Sequence, residues 1–186
     1  DAVVTAAQIV LALQNIISRN INPVSPAVIS VCTINGGSAF NILPEKVTLG
    51  GTIRTLDNNV RLQIFKRIEE TVRHISEMNG CNSEIEIVKA YPPLINDNKM
   101  SDFVIGIGEE LLGKESVIIL DEPSMGGEDF SYYLEKRPGS YFWLGGRNKD
   151  QKEVFYNHNP KFEIDESVLL IGTMMHINIA IEYLKK

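Results

Sequence analysis

"YPPLIND", residues 91–97, is where the chain changes its rhythm. Pro92 and Pro93 fix φ and donate no hydrogen bond, so they force extended backbone and stop any helix. Upstream, Ala6, Val10, Leu13 and Ile17 recur at three- and four-residue spacing. That predicts a helix over 2–18, ended by Pro23 and Pro26. "AVISVCTI", 27–34, is β-branched and predicts a strand. In "EKVTLGGTIR", 45–54, Val47, Leu49 and Ile53 alternate with Lys46, Thr48, Thr52 and Arg54, the pattern of a half-buried strand. Gly50-Gly51 inside it marks a bulge or a close backbone approach. Asp57 is a good helix N-cap, Val60, Ile64, Ile68, Val72 and Ile75 form one stripe, and Gly80 suits the residue after the helix. "SEIEIVK", 83–89, alternates again as a strand. The order α-β-β-α-β predicts an α+β unit of ferredoxin-like type, with one antiparallel sheet and both helices on one side.

Downstream the grammar is α/β. A helix over 99–112 carries Phe103, Ile107 and Leu111 and closes at Gly113. "VIIL", 117–120, and "SYFWLGG", 140–146, are apolar and predict strands of a sheet covered on both faces. A last helix carries Val168, Leu169, Ile171, Met175, Ile179 and Leu184. Two domains of different class are expected, 1–94 and 95–186. Both look incomplete, since two strands are too few for a covered α/β sheet and the first half opens on a helix.

Composition excludes several classes of function. The 186 residues are 44% hydrophobic, enough for a buried core. A formal net charge of −6 argues against nucleic acid or an anionic membrane as partner, because both need a basic surface. Cys32 and Cys81 form no CxxC pair and read as buried thiols in a reducing, cytoplasmic compartment. The apolar start lacks a basic leader and a small-residue cleavage site, so it is not read as a signal peptide. The apolar stretch at 167–184 is broken by His176, Asn178 and Glu182, as in a core helix rather than a membrane span.

Several stretches are candidates for chemistry, each with a bland alternative. In "SMGGEDF", 124–130, Gly126 and Gly127 admit close approach to a ligand. Glu128 and Asp129 there also suit the first turn of a helix for dipole reasons alone. In "NGGSAFNILP", 35–44, Asn41 either bonds its own backbone or presents an amide to a substrate. Arg54 is either a solvated charge or a two-pronged grip for a carboxylate. His74 reads as a surface residue and His176 as a hydrogen-bonded core histidine. His158, in "FYNHNPKF", lies in a loop after a strand, where function concentrates. No HxxEH, HxH, GxSxG or cysteine cluster accompanies it, so no metal or nucleophile site follows from local spacing.

Five stretches in order, "GGSAFNILPEKVTLGGTIRT", "YPPLIND", "SMGGEDFSYYLE", "FWLGG" and "HNPKFEIDE", resemble the carboxyl-terminal half of the dinuclear-metal amidohydrolases. These include hippurate hydrolases, N-acyl-amino-acid amidohydrolases and plant auxin-conjugate hydrolases. The resemblance covers essentially the whole chain. It implies a lid and dimerisation domain over 1–94, its first strand lying upstream of Asp1. It also implies that 95–186 are the returning end of a zinc-peptidase-like α/β catalytic domain. By position, His158 matches the last metal ligand of that family. Asn41 and Arg54 match positions that bind the substrate carboxylate, and Gly126 and Gly127 the glycine pair lining the pocket. Asn35 stands where many relatives carry His. The family's Cys-Gly-His-Asp stretch, Glu-Glu pair and further His have no counterpart, so no catalytic acid or base is assigned. The resemblance implies hydrolysis of the amide bond of N-acyl amino acids or small peptides by a homodimer with two divalent metals, zinc or manganese. The chain alone is expected to hold no complete metal site and to be inactive. The rival expectation is a non-catalytic dimerisation or ligand-binding fragment of a truncated hydrolase.

Overall fold

The computed structural model describes residues 1–148 and 150–185, which form two compact units. The first comprises Asp1–Leu94 with Pro123–Tyr132, and the second Ile95–Glu122 with Tyr133–Lys186. The segment 123–132 thus belongs by its contacts with the residues before 95, although the chain rhythm grouped it with those after.

In the first unit, α1 (Ala2–Asn15) starts at Asp1, whose Oδ1 accepts from the backbone N–H groups of Val3 at 2.9 Å and Val4 at 3.2 Å. It runs into one wider π-type turn, Ile16–Asn20. The buried stripe is Ala6, Ile9, Leu13 and Ile16, one residue off the expected Val10 and Ile17 at two of its four places. Ala2–Asn20 is long and apolar enough to cross a membrane. Its apolar face is instead used against the core.

β1 (Ala27–Asn35) pairs antiparallel with β2 (Thr48–Thr55). Val31 faces Gly51 and Thr33 faces Gly50, so Cys32 is an extra residue and β1 bulges there. The glycine pair therefore marks both a bulge, on the partner strand, and a close approach. A Cβ on Gly51 would stand 2.2 Å from the Ser30 carbonyl oxygen. α2 (Asn58–Met78) is capped by Asp57 through Asn59 and Val60. It ends with Gly80 at φ 66°, and the N–H groups of Gly80 and Cys81 return to the Glu77 and Ser76 carbonyls at 3.0 and 2.8 Å. Ile9, Leu13, Ile16, Ile21, Ile29 and Ile64 make the core, with the expected α2 stripe packed around it.

In the second unit, Asp97 caps α3 (Asn98–Leu112) by accepting from Met100 N–H at 3.0 Å. Gly113, at φ 84°, ends it. α3 packs on α5 (Val168–Leu184) through Val104, Ile107 and Met175. α4 (Ser131–Leu134) is a single turn whose first two residues count with the first unit and last two with the second.

Four expectations need correction. Residues 83–89, 117–120 and 140–146 carry no strand ladder among the described residues, where β1 and β2 make the one sheet. An alternating or apolar run states which face wants burial, but a ladder also needs a second backbone beside it. Ile118 and Leu120 are accordingly 78% and 63% exposed rather than covered. α5 is apolar all round yet buries only Met175, so it is not a core helix within this unit. His176 is exposed and its ring lies 5.5 Å from that of Phe142. Cys32 is exposed and Cys81 is half-buried, with its Sγ 3.3 Å from Thr5 Oγ1.

Candidate functional site

β2 carries Arg54 opposite Val28, on the polar side of the strand. Its Nη1 donates to the Met125 carbonyl at 2.9 Å, which draws the 124–127 turn against the strand end. In that turn Gly126 N–H donates to Ser124 Oγ at 3.2 Å. A Cβ on Gly127 would lie 3.2 Å from the Tyr91 ring. Tyr91 meets Tyr132 edge to face at 5.9 Å. Arg54 makes no ion pair among the described residues. One carbonyl uses a fraction of its five donors, and an anion can occupy the others. The first unit therefore assembles a guanidinium, two glycines and two aromatic rings at one place. Tyr91 and the Met125 carbonyl were missed by sequence reasoning. The tyrosine leaves only a weak signal, as the first residue of the proline-rich stretch.

Asn41 sits in the exposed 36–44 loop between Phe40 and Ile42, both exposed. Gly36 anchors the loop, since a Cβ there would meet Val47 Cγ2 at 2.7 Å. A space of about 470 Å³ lies between this loop and the start of α1 at Asp1 and Val3. Asn41 is not among the residues lining it. Glu128 and Asp129 serve the turn into α4. The Glu128 carbonyl accepts from Ser131 Oγ at 2.7 Å, and the Asp129 carbonyl from Tyr132 N–H at 3.0 Å.

His158 lies in the second unit. It has φ 71°, the one positive φ at a non-glycine residue among those described. It is the third residue of a turn closed by Asn159 N–H to the Tyr156 carbonyl at 3.1 Å. Asn159 then accepts from Lys161 N–H at 2.9 Å through Oδ1. The turn leaves the imidazole exposed. Among the described residues no group of three or more His, Cys, Asp or Glu is disposed to hold a metal ion. One imidazole fits one ligand position of a metal site.

The profile of peptidase family M20/M25/M40 matches residues 8–182. IAA-amino acid hydrolase ILR1-like 4 of Arabidopsis thaliana is 32% identical over 99% of this chain and 42% of its own length. Thermostable carboxypeptidase 1 of Saccharolobus solfataricus is 36% identical over 100% of this chain and 47% of its own. The chain thus spans about half the length of the curated relatives it matches. Among solved structures, the Bacillus subtilis YXEP protein, described as a dinuclear metal binding peptidase, superposes with a TM-score of 0.78. It is 25% identical, over 100% of this chain and 46% of that one. The shared fold mixes helix and sheet.

Proposed function

We propose a function from one premise: the chain belongs to peptidase family M20/M25/M40. The full-length protein hydrolyses the amide bond of an N-acyl amino acid or small peptide, with two divalent metals, zinc or manganese. The observation that carries this reading is Arg54 held beside the Gly126-Gly127 turn with donors to spare. That is the chemistry of a carboxylate grip, and a free carboxylate is common to N-acyl amino acids and peptides. The names of two relatives, an IAA-amino acid hydrolase and a carboxypeptidase, support the same substrate class. They also favour an enzyme over a non-catalytic fragment.

Each residue has a role in this scheme. Arg54 binds the carboxylate through the guanidinium donors that Met125 leaves open, and Asn41 adds an amide. Gly126 and Gly127 form the wall, where the missing side chains let the substrate backbone approach. His158 offers a neutral imidazole as one metal ligand. Bound divalent metals polarise a scissile carbonyl and lower the pKa of water towards about 7. Residues 1–94 act as a lid through which two copies associate, and residues 95–186 as the end of the catalytic domain. The setting is cytoplasmic.

Replacing Arg54 with Ala in the full-length protein tests the scheme. A charge-assisted hydrogen bond is worth about 1.5–3 kcal/mol, so KM for free-carboxylate substrates should rise roughly ten- to a hundredfold. Amidated substrates should be little affected. Unchanged KM and kcat on both would make Arg54 a surface charge only.

A further inference from the structure

We infer that Asn96 is a positioning residue for the loop that presents His158; the inference rests on the ligand role proposed for His158. Asn96 precedes the Asp97 cap of α3. Its side-chain amide does for Tyr141 what a neighbouring strand would do. Nδ2 donates to the Tyr141 carbonyl and Oδ1 accepts from the Tyr141 N–H, both at 2.8 Å. Two ties flank this pair. Asp97 N–H donates to the Gly139 carbonyl at 2.9 Å, and Ser101 Oγ lies 3.3 Å from Ser140 Oγ. The segment 140–146 carries no ladder among the described residues, so side chains supply hydrogen bonds that a ladder would otherwise make.

From Tyr141 the chain continues through Phe142, packed on the Val104, Ile107 and Met175 core. It reaches Gly146, whose carbonyl accepts from Asp165 N–H at 2.9 Å. That bond closes the base of the loop carrying His158. The base is therefore referenced to the start of α3 through the six residues 141–146, the first of which Asn96 holds by both its N–H and its carbonyl. Every group in this series lies in the second unit. A ligand on a loop keeps its geometry only as well as the loop's base is held.

The test uses the full-length protein loaded with zinc. Zinc affinity is measured by chelator competition for Asn96→Asp, Asn96→Ala, His158→Gln and a core truncation in the same unit, Val104→Ala. Asn96→Asp keeps the shape but loses the donor and sets a carboxylate against the Tyr141 carbonyl. We expect it to weaken zinc about tenfold or more, as groups supporting a metal ligand do. That loss should exceed the loss in Val104→Ala at equal fall in melting temperature. Amides of 140–146 should exchange faster. Zinc affinity within twofold of the parent, or no weaker than in Val104→Ala, overturns the inference. Asn96→Ala removes both hydrogen bonds without adding charge and is read by the same criterion if Asn96→Asp does not fold. Intact zinc affinity in His158→Gln overturns the ligand role itself, whereas its loss with intact affinity in the Asn96 variants overturns only the positioning role.

Discussion

His158 takes φ 71° in an exposed turn, and an L-residue there costs roughly 1 kcal/mol that glycine does not. His158→Gly should therefore raise stability by up to about 1 kcal/mol in denaturant melts while lowering metal affinity in the full-length protein. Stability and function moving apart is the signature of a conformation kept for its side chain. Gly51 gives the opposite case. Ala there would place a Cβ 2.2 Å from the Ser30 carbonyl oxygen, so the strands must separate. Gly51→Ala should cost about 1–3 kcal/mol, read as a lower denaturation midpoint. At this scale the sequence was informative where a residue type is unusual for its setting, as with the glycine pair within an alternating strand. It was silent on Met125, which acts through a carbonyl that every residue possesses.

Helices were legible because their hydrogen bonds are internal and their ends carry side-chain signals. Asp57, the Val60 to Ile75 stripe and Gly80 marked α2, and each does in the structure what its chemistry suggests. Asp57→Ala should lower stability by about 1 kcal/mol through loss of the Asn59 and Val60 caps. Ile64→Ala should cost about 2–5 kcal/mol, because Ile64 is fully buried at the centre of the first core. Thermal or urea unfolding checks both. Strands were legible only where a second strand pairs with them among the described residues. β1 and β2 formed as the alternation indicated, while 83–89, 117–120 and 140–146 bear strand-like patterns without a ladder among the described residues. α5 shows the same limit for a helix, since an apolar surface all round says nothing about what covers it.

At the scale of the molecule, two units each have a core of their own. Arg54, Gly126 and Gly127 come together in the first, and His158 stands in the second. Since the described residues hold no cluster of metal-binding side chains, residues 1–186 by themselves should retain less than one equivalent of zinc after dialysis. They should also leave N-acyl amino acids intact. Elemental analysis and a hydrolysis assay, run beside the full-length protein, check this. Two equivalents and full turnover from the 186 residues would refute it.

The sequence by itself determined the main helices and the Asp57, Gly80 and Gly113 signals at their ends, because each depends on neighbours a few positions away. Tertiary structure alone decided that Arg54 reaches Met125 and that Asn96 holds Tyr141 by both its N–H and its carbonyl. Those partners lie 71 and 45 positions apart, and a backbone group accepting or donating at such a distance leaves no mark in residue type.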